Sequence, residues 1–80
     1  LEAKLAALPG VVAVDDLHVW TITSGLDAMS CHLVVDDMAR SAAVLTAASA
    51  AMRSEFGLAH TTIQIEDAAI RNAEGHTTPL

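Results

Sequence analysis

Eighty residues with a formal net charge of −6 at pH 7 make one small domain, near the lower size at which a core holds without a disulfide or a structural metal. Four Lys and Arg against ten Asp and Glu argue against a nucleic-acid partner, because binding phosphates takes clustered cations; the carboxylate excess attracts cations instead. A single cysteine, Cys31, excludes an internal disulfide and fits a reducing compartment, and no apolar run approaches the roughly 20 residues of a membrane helix.

Leu1, Leu5 and Leu8 recur at helical spacing, and Pro9-Gly10 stops that helix. From Val11 to Thr23 apolar and β-branched residues alternate. Ser24-Gly25-Leu26-Asp27 supplies turn chemistry, and a second such run follows from Ala28 to Val35, so the pair reads as a hairpin. Asp36-Asp37 can cap the alanine-rich helix expected from about Met38 to Phe56, with Leu45, Ala48, Met52 and Phe56 on one side and Gly57 as its end. Thr61 to Ile65 alternates polar and apolar as a last strand that buries one face. The pattern is lost after Asp67.

The order helix, strand, strand, helix, strand predicts an α+β, open-faced ferredoxin-like sandwich, with a three-stranded sheet and two helices on one face. Residues 1–67 form the domain and 68–80 a flexible tail. Because the chain opens at Leu1, inside an apolar helical pattern and without an initiator Met, it reads as a domain cut from a longer protein.

Burial sets the expected hairpin register. Pairing Leu17 with Leu33 and Val19 with Cys31 gathers the apolar residues on one face and places His18 opposite His32 on the other. Ile63 and Ile65 take the buried parity of the last strand, so Glu66 shares the open face with the two histidines. Two His and a Glu there form a nitrogen/oxygen set suited to zinc or a similar ion; the competing reading is that the histidines are structural. Trp20, Ile22 and Val34 fall on the same open face, and so much apolar surface calls for a cover, which a second copy of the domain would supply. Cys31 takes the core parity, and its neighbour His32 points to the opposite face, so the two form no catalytic pair. No triad, phosphate loop or carboxylate pair is present, and the protein is not expected to be an enzyme.

Three segments together resemble a known family: Leu8-Pro9-Gly10-Val11 leading to Asp16-Leu17-His18-Val19-Trp20, then Ser30 to Val35, then Phe56 to Glu66. In this order they are similar to the carboxy-terminal domain of cation diffusion facilitators, closest to the bacterial zinc/cobalt/cadmium efflux branch. The resemblance runs from about residue 1 to 67. It implies a copper-chaperone-like fold and a homodimer on the cytoplasmic side of the inner membrane, joined to the transmembrane part of a metal/proton antiporter. It also implies that Zn²⁺, Co²⁺ or Cd²⁺ binding favours the transport-competent pairing. By position it implies Asp15, His32 and Glu66 as ligands, with His18 and His60 as signature residues that are either ligands or structural hydrogen bonders. Asp15 stands where many members carry histidine, a change toward harder ions, and Gln64 stands where some carry a histidine for a second ion. The alternative is a free-standing ferredoxin-like module that senses a small ligand or pairs subunits, with structural histidines.

Overall fold

The computed structural model describes residues 1–23 and 25–73. Helix α1 spans Glu2–Ala6, strand β1 Val11–Thr23, β2 Leu26–Val35, helix α2 Ser41–Phe56, β3 His60–Glu66 and a further helix, α3, Ala68–Ala73. The sheet order is β1-β2-β3, antiparallel between β1 and β2 and parallel between β2 and β3. A parallel neighbour needs a crossover, which α2 provides. The α-β-β-α-β order with two helices against one sheet face is the ferredoxin-like arrangement expected from the sequence.

Local chemistry explains the boundaries. Gly10 takes φ +90° at the end of α1, and the Val11 N–H donates to the Leu8 carbonyl, closing the turn into β1. Asp37 accepts from the Ala39 N–H and caps a single 3₁₀ turn, Met38–Arg40, that leads into α2. At its other end Gly57 adopts a left-handed φ of +65° while its own N–H and that of Leu58 satisfy the carbonyls of Arg53 and Met52.

Leu5 of α1, Met29, Cys31, Leu33 and Val35 of β2, Val44, Ala48, Ala51 and Met52 of α2, and Leu58 form the buried core. Val14, Leu17, Ile63 and Ile65 pack against it from the flanking strands. The α2 face is turned relative to the expected one: Val44 and Ala51 are buried, whereas Leu45 and Phe56 are each 40 % exposed. The spacing Val44, Ala48, Ala51, Met52 is the i, i+4, i+7, i+8 stripe of a helix lying on a sheet. Small alanines on it bring the helix close to the sheet, nearest to β3.

The hairpin register differs from the expected one. Asp15, not His18, stands opposite His32; His18 pairs with Ser30, Val14 with Leu33 and Val19 with Met29. The offset begins at the turn, where Thr23 pairs with Leu26, and grows at the irregularities between Thr21 and Thr23 and between Asp15 and His18; in the latter, a bulge, β1 spends one residue more than β2. Asp16 sits in it at φ +51°, a left-handed conformation that Asp tolerates better than most residues. The extra residue lets Val14 and Leu17, three apart, both reach the core and leaves Asp15 and His18 on the open face. A regular strand would have buried Asp15.

After Asp67, where the sequence pattern fades and a tail was expected, the chain instead turns into α3. The Asp67 carboxylate caps it, accepting from the Ile70 N–H at 2.8 Å. This helix packs against β2 and β3. The remainder of the expected tail, 74–80, lies outside the described residues.

Candidate functional site

Strand register defines rows across the open face, away from α1 and α2. One row carries Asp15, His32 and Gln64; its neighbour toward α3 carries Ala13, Val34 and Glu66; the next in the opposite direction carries His18, Ser30 and Thr62, and beyond it lie Trp20, Ala28 and His60. His32 therefore lies between the acid-bearing rows and the row of His18. His60 stands four residues from the His32 level along its strand, about 13 Å at 3.3 Å per residue, and belongs to the Trp20 end. The expected neighbour pair His18 and His32 is not formed, because the hairpin pairs His18 with Ser30, one row nearer the turn.

Around His32 the carboxylates gather. Its Nδ1 lies 3.4 Å from Oδ2 of Asp16 and 3.5 Å from Oε2 of Glu66. Gln64 Nε2 donates to the same Glu66 oxygen at 3.0 Å. Glu66 is fully buried, an expensive position for a carboxylate that polar neighbours must offset. Asp15 is paired instead with the Arg71 guanidinium of α3: Nη2 donates to Oδ1 at 3.1 Å, and Nε lies 2.8 Å from Oδ2 as an ion pair, although that buried oxygen accepts no hydrogen bond.

The fit of this set to a divalent ion can be judged from its own geometry. Two donors bound tetrahedrally to one zinc at 2.0 to 2.2 Å stand about 3.3 to 3.6 Å apart, and both carboxylate-to-imidazole separations fall in that range. Donor type also suits zinc, cobalt or cadmium. Yet among the described residues no three His, Cys, Asp or Glu side chains converge to hold an ion as they stand; Asp15, the third expected ligand, is engaged by Arg71.

Cys31 lies on the opposite, core side, only 2 % exposed, and burial pushes its thiol from 9.0 up to about 11. It is a core residue. Val34, expected with Trp20 and Ile22 on an exposed face, is instead buried at 2 % exposure beside Glu66, although both face away from α1 and α2. The packing of α3 on their strands accounts for it. Trp20 and Ile22 remain about half exposed, at 47 % and 49 %, toward the turn end of the hairpin, as does Val19; Ile22 lies on the projecting end, beyond the last row that β3 joins.

Two participants escaped the sequence reading. Asp16 sits in a bulge that a strictly alternating pattern hides, although the Asp15-Asp16 doublet in an apolar strand was a signal. Arg71 lies in a segment without apolar periodicity, so nothing local linked it to Asp15, 56 positions earlier.

A three-stranded ferredoxin-like sheet with two helices on one face and a carboxylate–histidine cluster on the other is the class of domain these features define. The chain belongs to the family described as "Cation efflux protein, cytoplasmic domain", which it matches over residues 1–68. It is 44 % identical over 68 residues to the vacuolar zinc transporter TgZnT of Toxoplasma gondii, an alignment covering 82 % of this chain and 7 % of that protein. It is 43 % identical over 63 residues to the cadmium, cobalt and zinc/H(+)-K(+) antiporter of Bacillus velezensis, covering 75 % of the chain and 20 % of the relative. Among solved structures it resembles the metal-bound C-terminal domain of the CzcD transporter from Cuprividus metallidurans, with a TM-score of 0.75 and 35 % identity over 81 % of this chain and 90 % of that one. The chain thus spans a fifth or less of the length of these two transporters. By their names they are transporters, not enzymes. No helix among the described residues is long and apolar enough to cross a membrane.

Proposed function

We propose that this chain is the metal-sensing, self-pairing cytoplasmic domain of a divalent-cation/proton antiporter of the zinc, cobalt and cadmium efflux type, and that it catalyses no reaction. The transport path lies in membrane helices of the same protein, which in a bacterium would sit in the inner membrane. The domain reads the cytosolic metal level and passes it on through the way two copies pair. The observation that carries the reading is the placement of His32 against the carboxylates of Asp16 and Glu66, at the separations of a tetrahedral edge.

In this reading Asp15, His32 and Glu66 hold the ion, with Zn²⁺, Co²⁺ or Cd²⁺ as the occupant. Asp16 is a further donor or holds the imidazole in orientation. His18 and His60, on other rows of the sheet, take structural roles. A resident zinc would neutralise carboxylates brought together at some cost, so binding adds to stability as well as reporting metal. Pairing engages the turn end of the hairpin, where Trp20 and Ile22 expose apolar surface, on the principle that a contiguous exposed apolar patch marks a contact.

Calorimetric titration with Zn²⁺, together with sedimentation over a range up to high micromolar protein, tests both parts. Saturable binding that His32→Ala removes, and a dimer that Trp20→Ala weakens, are the expected results. Binding that survives in His32→Ala, or a monomer with and without zinc, contradicts the corresponding half.

A further inference from the structure

We infer that α3 is a built-in lock on the metal site, with the Arg71 guanidinium occupying the place of the metal's charge at Asp15 until an ion displaces it; this rests on the reading of Asp15, His32 and Glu66 as the ligands. The observation is independent of the family resemblance, because the family match ends at residue 68 and α3 spans Ala68–Ala73. Asp15 is separated from Arg71 by 56 positions, yet the two meet at 2.8 and 3.1 Å, the longer contact a hydrogen bond and the shorter an ion pair without one. A cation held this close offsets the Asp15 charge, so a divalent ion binding there competes with the guanidinium for the carboxylate.

The arrangement around it points the same way. Asp15, Asp16 and Glu66 lie toward one end of the open face, and Arg71 is paired with the first of them. Its side chain is 41 % exposed and that of Asp15 19 %. A partly exposed pair of this kind is worth little by itself, so it can hold the metal-free arrangement and still yield to a divalent ion. The helix is six residues long, begins directly after the ligand Glu66, and is capped by Asp67 next to it. Movement of the Glu66 carboxylate toward an ion acts at the start of this short element, and loss of the Arg71–Asp15 pair acts on its second half. Metal binding and undocking of α3 are the two sides of one equilibrium, and each weakens or strengthens the other by the same factor.

The 80-residue chain is the material for the test, with zinc alone as the probe. Its Kd is measured by competition with a chelator in the wild type, Arg71→Ala, Arg71→Lys, Asp15→Asn and the double variant Asp15→Asn/Arg71→Ala. Trypsin cleavage after Arg71, relative to cleavage after Arg53, reports docking of α3 without reference to affinity. The lock requires zinc to bind about two- to fivefold more tightly in Arg71→Ala, the range expected for one partly exposed pair, and an intermediate value in Arg71→Lys, which keeps the charge without the guanidinium's geometry. It further requires the Arg71→Ala gain to vanish in the Asp15→Asn background, and zinc to speed cleavage after Arg71 in the wild type. Unchanged or weaker binding in Arg71→Ala, while the wild type binds zinc and His32→Ala does not, overturns the lock and leaves the metal site standing. No binding by either the wild type or Arg71→Ala overturns the metal reading, and the lock with it.

Discussion

Glu66→Gln is the substitution that most sharply separates a buried structural acid from a metal ligand. The side chain is fully buried, accepts from Gln64 Nε2 at 3.0 Å and lies 3.5 Å from His32 Nδ1, so a volume-conserving change removes charge without opening a cavity. Without metal the loss of a buried charge and the swap of one acceptor oxygen for a donor roughly offset, and stability stays within about 1 kcal/mol of the wild type. With zinc at a hundredfold excess over Kd the wild type gains about 2.7 kcal/mol. At about 4 to 8 °C per kcal/mol for a domain of this size, that is a rise in Tm of more than 10 °C. If losing the carboxylate costs a hundredfold in affinity, the upper end of what even an indirect metal partner contributes, the same zinc concentration adds only about 0.4 kcal/mol, or roughly 2 to 3 °C. Differential scanning fluorimetry with and without zinc, read against a chelator control, measures both numbers. A full wild-type shift in Glu66→Gln refutes the role of Glu66; a metal-free Tm lowered by much more than 5 °C shows that the carboxylate is mainly structural.

Leu33→Ala, at the centre of β2 with no exposed surface, is expected to cost about 2 to 5 kcal/mol in urea unfolding, a large part of the total stability of a small domain; a loss below 1 kcal/mol contradicts the core described. Because burial raises the Cys31 thiol from 9.0 to about 11, the folded state keeps its proton where the unfolded chain loses it. The contribution to stability is thus full below about pH 9 and is lost as pH rises through about 11; Cys31→Ala should flatten the stability curve across that window, and an identical alkaline fall in the variant refutes the assignment. Asp16 holds φ +51° in the bulge, so Asp16→Gly should leave stability unchanged or raise it slightly, while Asp16→Val should cost about 1 to 2 kcal/mol; equal stability of the two variants would show that the strand relaxes to a regular register.

The sequence announced its elements clearly because each rests on local chemistry: Pro9-Gly10, the Gly57 cap, the alternation of Thr61 to Ile65. Register was less legible. Alternation fixes which residues share a face only if the strand is regular; the bulge at Asp16 reverses parity midway and brings Asp15 to the open face, while the tighter turn at Thr23 and Leu26 moves His18 from His32 to Ser30. The chemistry of the site survived that error, since His32 and Glu66 owe their position to β2 and β3, which pair without interruption. Asp15, His18, His32, His60 and Glu66 all lie on open-face rows, and it is the bulge that puts Asp15 there. Val34 and Arg71 were misread or missed for one reason: α3 has no apolar stripe, so its docking is a tertiary event that no window of sequence announces. The turned face of α2 has a similar origin, because alanines carry almost no pattern and the sheet beneath decides which of them are buried.

The most direct test is diffraction from crystals of the zinc-loaded chain, with anomalous data collected at the zinc edge. The account predicts one peak on the open face, about 2.0 to 2.2 Å from the His32 imidazole and the carboxylate oxygens of Glu66 and Asp15. A peak bound instead by His18 or His60 near Trp20, or no peak on this face while zinc is saturating, would contradict it.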